Sequence, residues 1–152
     1  MTRLRRGIMN GLISGLVLGL FFKLIEQFTK VKVYTLLLNV DYIPVLKLLI
    51  FPEWVEFFFH LIISVIIAVI LLIISDRYRW EVEQVMFRSV LLSFIIGVLL
   101  YPTTALSTRT PAITSIEAII YWLLGHVIYG CVLGFLMTRK QMIKKKPVTM
   151  FK

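Results

Sequence analysis

The chain has 152 residues, of which 59% are apolar and 16% charged, and its formal net charge is +9. Soluble domains sit near half apolar and a quarter charged, so this composition argues against a soluble globular fold. The positive charge flanks apolar runs and accompanies no nucleic-acid recognition motif, which argues against a nucleic-acid partner.

A hydrocarbon core about 30 Å thick takes roughly 20 apolar residues of helix. Four stretches meet that requirement, about 7–28, 53–75, 84–101 and 115–138. The expectation is an all-α membrane bundle of four transmembrane helices forming one domain over 1–152. Arg3, Arg5 and Arg6 precede the first span, and Arg77, Arg79 and Arg88 flank the link between the second and third. Arg139, Lys140, Lys144, Lys145, Lys146 and Lys152 follow the fourth. An even number of crossings puts these 12 of the 17 Lys and Arg on one side, leaving Lys30, Lys32, Lys47 and Arg109 for the other. Cytoplasmic links carry the excess of basic residues, so the bias predicts N-in and C-in. The basic tail 139–152 is then a topology signal suited to anionic lipid headgroups. The first apolar run is longer than a signal-peptide core and no A-x-A-like site follows it, so an uncleaved span is expected. Cys131, the lone cysteine, lies inside the fourth span, so no intrachain disulfide forms.

The segment 29–52 has apolar clusters at Tyr34–Leu38 and Val45–Phe51. Asn39, Asp41, Pro44 and Lys47 interrupt them, and each is costly at a bilayer centre. A fifth span would also move the basic tail to the opposite side. An outer-face loop with one or two short interfacial pieces is expected instead. The link 76–83 is a short charged turn. The link 102–114 is polar and bounded by Pro102 and Pro111, with Thr114 or Ser115 placed to cap the fourth helix.

The first span carries Gly7, Gly11, Gly15 and Gly19, all on one helix face. In lipid such a face lets another backbone approach closely. It packs within the bundle or forms a homo-oligomer seam. The fourth span has Gly125, Gly130 and Gly134 beside Trp122, His126 and Tyr129. A weak repeat is visible: Gly11, Gly15 and Gly19 correspond to Ser89, Ser93 and Gly97, and His60, Ser64 and Ala68 to His126, Gly130 and Gly134. Two parallel helix hairpins would give this pattern.

Intramembrane polar groups are the best functional lead: Lys23 and Glu26 in the first span, Glu56 and His60 in the second, Glu117 and His126 in the fourth. Glu53 and Ser64 fall near the stripe of Glu56 and His60. His60 lies roughly 12 Å below the start of its helix at 1.5 Å per residue. Ionisable groups at such depth face the bundle interior and pair with one another. Glu56 and His60 are therefore expected to meet Lys23 or His126. The group reads as a buried network that sets helix register, as a proton or solute pathway, or as a metal site. Zinc needs three or four converging ligands, and two histidines on different helices do not supply them, so neither metal nor cofactor is expected. Arg88 is expected to snorkel to the interface. Enzyme signatures, including the P-loop, G-x-G-x-x-G, G-x-S-x-G and H-E-x-x-H, are absent from the chain, so no enzyme is expected.

Gly11-Leu12-Ile13-Ser14-Gly15 with Lys23 and Glu26, His60 followed by Ser64, Tyr101-Pro102 with Thr110-Pro111, and Gly125-His126 occur in that order. This succession resembles the YagU-like family of uncharacterised bacterial inner-membrane proteins, thinly over about two-thirds of the chain. It departs at Trp122, where the family pattern has a glutamate one turn before the last histidine. The resemblance implies four helices and a bacterial inner membrane, and it supplies no activity. Together these readings describe a small multi-pass membrane component, structural or stress-related, with a His/Glu/Lys network. The alternatives are a proton or small-solute channel or transporter, and an accessory subunit of a larger membrane complex.

Overall fold

The computed structural model describes residues 2–46, 49 and 51–145, with side chains as far as residue 139. The cationic groups of the tail from Lys140 to Lys152, and Lys47, lie outside the described residues. The elements are α1 (Arg3–Thr29), α2 (Val33–Leu38), α3 (Glu53–Arg77), α4 (Val82–Leu100) and α5 (Ile116–Lys145). A 3-10 helix, Tyr101–Leu106, extends α4. Every regular element among the described residues is helical.

Local chemistry sets the ends. The Thr2 side chain accepts from the Arg5 amide at 3.4 Å, and α1 stops at Lys30, whose φ of 64° is the left-handed cap. Pro52, extended and lacking an N–H, leads into α3, whose first turn holds Glu53 and Glu56 and whose last holds Arg77. That order matches the helix dipole. Glu81 and Gln84 form a capping box at α4. The Ser115 hydroxyl accepts from the Ala118 amide at 3.4 Å and opens α5. Pro102 does not end the third span. It sits in the first turn of the 3-10 helix, where its missing N–H costs nothing, so the helical path runs on to Leu106.

Four helices are long and apolar enough to cross a membrane: Arg3–Thr29, Glu53–Arg77, Val82–Leu106 and Ile116–Arg139. Their ends reach beyond most of the expected apolar windows, because backbone hydrogen bonding continues into the polar flanks after hydropathy has fallen. The 29–52 segment supplies only α2, six residues long and too short to span. Val33, Leu36 and Leu38 of α2 are buried against the bundle, so its hydrophobicity serves packing. Leu16 and Leu20 of α1, Ile66 and Ile70 of α3, and Leu91 and Ile95 of α4 are exposed outward. Such apolar flanks suit hydrocarbon and not water.

Glycine sets the closest crossings. α1 runs antiparallel to α3, with Gly7 facing Val69, Gly11 facing Val65, Gly15 facing Leu61 and Ser64, and Gly19 facing Phe57. A Cβ on Gly11 would lie 2.6 Å from the Val65 Cα, so these are backbone-to-backbone approaches. α4 and α5 pair likewise: a Cβ on Gly130 would lie 2.6 Å from the Val90 Cα, and one on Gly134 would meet Met86. The α1 glycine face is thus covered by α3 of the same chain, which leaves it no room to act as a seam between copies. Gly125 instead faces Phe22 and Leu18, where α5 crosses α1.

The repeat register reappears in these contacts. In the first hairpin Gly11 abuts the Ser64 carbonyl; in the second Gly130 abuts the Ser89 carbonyl. Gly11 corresponds to Ser89 and Ser64 to Gly130, so one crossing occurs twice with the glycine on opposite helices. The two seams between the hairpins differ. α1 packs on α5, and Phe22 stacks on Trp122 with centroids 5.2 Å apart and planes 4° apart. The equivalent α3 and α4 are not a packed pair. The space between them is a cavity.

Candidate ligand-binding cavity

Three polar clusters hold the end of the bundle that carries α2. Lys23 of α1 donates to Glu53 of α3 at 2.7 Å, and Tyr34 of α2 donates to the same oxygen at 3.0 Å. Glu26 accepts from the Thr35 amide at 2.8 Å and hydroxyl at 2.7 Å, capping the first turn of α2. Arg109 reaches from the 107–114 link and grips Glu56 with two parallel bonds, Nη1 to Oε1 at 2.8 Å and Nη2 to Oε2 at 3.0 Å. Asp41 stands 4.0 Å from the same guanidinium and accepts from Ser107. Glu56 is 3% exposed, whereas the Arg109 side chain is 47% exposed. The fork geometry gives the pair direction as well as charge. Hydrogen bonding to Glu56 raises the Arg109 pKa above its already high value. Burial, then the bond to Glu53, raises that of the Tyr34 hydroxyl. Both groups therefore keep one protonation state at physiological pH.

Beneath this clamp lies the cavity, about 250 Å³ in volume. α3 and α4 form its sides, α5 its back, and α2 with residues 39–46 its lid. Its walls are mostly apolar, and Ile62, Ile63 and Leu100 line it and are exposed. Because α3 and α4 both line it and do not pack on each other, it opens sideways between them. Its volume exceeds the roughly 150 Å³ of a dry protein cavity that admits benzene. Polar atoms are few and placed deep. Trp122 donates to the Gly97 carbonyl at 2.8 Å, and His126 Nδ1 lies 2.8 Å from the Trp122 carbonyl. His60 Nε2 lies 3.2 Å from the Gly15 carbonyl. Tyr129 donates to the Ser64 carbonyl at 3.2 Å, while the Ser64 hydroxyl lies 2.7 Å from the Gly11 carbonyl.

The single network expected from sequence is divided. Glu56 pairs with Arg109, and neither Lys23 nor His126 bonds to it. Lys23 takes Glu53, and Glu26 takes Thr35, because each finds a nearer partner at the α2 end. His60 and His126 line one cavity but bond to backbone carbonyls, not to each other. Glu117 is exposed in the first turn of α5, away from the cavity, where the helix dipole favours a carboxylate. Arg88 lies 4.1 Å over the Trp80 ring at the opposite end. Sequence reasoning counted Arg109 only as a loop charge. Its signal was available: an otherwise uncharged link carries one arginine, and the buried Glu56 has no lysine or arginine on its own helix nearer than Arg77 at the far end. Among the described residues no three or more His, Cys, Asp or Glu converge to hold a metal ion.

No family model, curated protein or solved structure matches the chain, so its likeness to YagU-like proteins rests on the quoted motifs alone.

Proposed function

We propose that this is a small multi-pass protein of a bacterial cytoplasmic membrane, N-in and C-in, that takes an amphipathic molecule from the bilayer into the cavity between α3 and α4. The observation carrying this reading is the cavity itself: mostly apolar, open sideways, and holding a few fixed polar groups at its back. Binding sites for small molecules have this composition. The basic flanks support the orientation, and the tail is then available to anionic headgroups.

A proton or solute pathway is the second reading, supported by two histidines in one cavity. Against it, the bundle toward Arg77 is filled mainly by the buried apolar Ala68, Leu71, Leu72, Val85, Leu133 and Met137, and its buried polar residues Ser75, Ser89 and Thr138 carry no titratable group. A proton route needs such groups through that half as well.

The test uses a variant with Trp54→Phe and Trp80→Phe, which leaves Trp122 as the sole reporter. A chain-brominated amphiphile titrated into the detergent-solubilised protein is expected to quench Trp122 saturably. Ile96→Phe, which fills the cavity from α4, is expected to abolish the saturable part. Quenching that never saturates, and that ignores Ile96→Phe, overturns the reading.

A further inference from the structure

We infer that the head of the molecule taken by this cavity is a hydroxyl, so that its ligand class is a neutral long-chain alcohol or hydroxyl-headed lipid. This rests on the reading that the cavity binds a bilayer amphiphile, and it names the chemistry that the site selects.

The argument starts from proton placement. A carbonyl oxygen only accepts, so His126 Nδ1, 2.8 Å from the Trp122 carbonyl, must carry a hydrogen. The same holds for His60 Nε2 at 3.2 Å from the Gly15 carbonyl. A neutral ring that donates through one nitrogen presents a bare lone pair on the other. Neither ring has a carboxylate partner among the described residues. Two acceptors, His126 Nε2 and His60 Nδ1, thus belong to residues that line the cavity from α5 and from α3, each without a hydrogen-bond partner among the described residues.

The second observation is independent of the histidines. Ser93 lines the same cavity at 2% exposure, and its hydroxyl has no hydrogen-bond partner. Asn39, in the lid at 3% exposure, has an unpartnered Nδ2. Buried polar atoms are almost always paired. Ser93 lies one turn before Gly97, against which the His126 ring packs: a Cβ on Gly97 would be 2.9 Å from His126 Cγ. The orphan hydroxyl and the His126 ring therefore share one face of α4.

This inventory discriminates among head groups. A carboxylate would turn its lone pairs toward those of the imidazoles. An ether, ester or ketone can accept from Ser93 or Asn39 but leaves both histidine acceptors unmet. A hydroxyl donates to an imidazole nitrogen and accepts from Ser93 at once. The apolar chain then follows the walls outward past Ile62 and Ile63 into the hydrocarbon.

The experiment measures displacement of the brominated amphiphile from Trp122 by n-decanol, decyl methyl ether and decanoate, which share chain length and differ in head. The alcohol is expected to displace at a concentration roughly fivefold to tenfold lower than the ether, the effect of one neutral hydrogen bond. Ser93→Ala removes only an unpartnered hydroxyl, so folding is retained, and alcohol and ether, which both accept from Ser93, are each expected to displace about threefold less well. His60→Gln supplies the second variant, with its effect confined to the alcohol. If alcohol and ether displace equally, or decanoate displaces best, the hydroxyl assignment is overturned while the binding reading stands. If no probe displaces and the amphiphile itself does not bind saturably, the binding reading fails and the assignment with it.

Discussion

Replacing Arg109 by alanine should be the most damaging single change outside the helix crossings. Glu56 is 3% exposed and depends on that guanidinium for both carboxylate oxygens. Removing one partner of a buried pair costs about 3–5 kcal/mol, because the remaining charge stays desolvated. Arg109 is 47% exposed, so part of its charge is already screened, and the lower end, about 3 kcal/mol, is the appropriate figure. The reverse change is milder. Glu56→Gln leaves a half-exposed guanidinium that water can solvate and an amide oxygen that still accepts, so it should cost about 1 kcal/mol, the difference between a charged and a neutral hydrogen bond. The double change Arg109→Ala with Glu56→Leu should recover most of the loss, since no buried charge then remains. Unfolding in mixed micelles with increasing SDS, followed by far-ultraviolet circular dichroism, gives the order. A Glu56→Gln protein as unstable as Arg109→Ala would refute the argument that stranded burial, and not the bond itself, sets the cost.

Other outcomes follow from the same contacts. Gly11→Ala and Gly130→Ala should each destabilise by about 1–3 kcal/mol, since the new Cβ meets backbone that cannot rotate away; Gly19→Ala should cost less, because it meets the Phe57 ring. The same SDS titration checks all three. Tyr129→Phe should lose about 0.6 kcal/mol, the usual worth of an interhelical hydrogen bond in a membrane, here the one to the Ser64 carbonyl. The Arg109–Glu56 clamp should be insensitive to pH across the physiological range. The arginine pKa is raised by Glu56, so this contribution is present below the unfolded value and is lost only as pH climbs through the still higher folded one. Denaturation midpoints of wild type and Glu56→Gln, compared from mildly acidic to mildly alkaline buffer, should keep a constant difference. Reporter fusions after Lys152 and within the Thr103–Thr110 link should give cytoplasmic and periplasmic activity respectively; the reverse would overturn the orientation.

How much of this was legible in the sequence depends on the range of the interaction. The four spans were readable because helix length and hydropathy are local, and a bilayer punishes any polar interruption within one window. The α1 glycines were readable as a packing face because four-residue spacing alone puts them on one side of a helix. The equivalence of Gly11 with Ser89 and of Ser64 with Gly130 was readable as a pattern. Its physical content, one crossing used twice with the glycine exchanged, needed the paired backbones. Partner choice was not legible. Lys23, Glu26, Glu56 and Arg109 are all near the α2 end, and charge alone permits several pairings. Distance decided, and distance depends on how the 29–52 and 102–114 links fold over the helix ends. The cavity was least legible of all. His60 and His126 were identifiable as buried polar residues, yet the space they share exists only because α1 closes on α5 while α3 stays apart from α4. Packing asymmetry between two similar hairpins belongs to the assembled bundle, and no window of the chain encodes it.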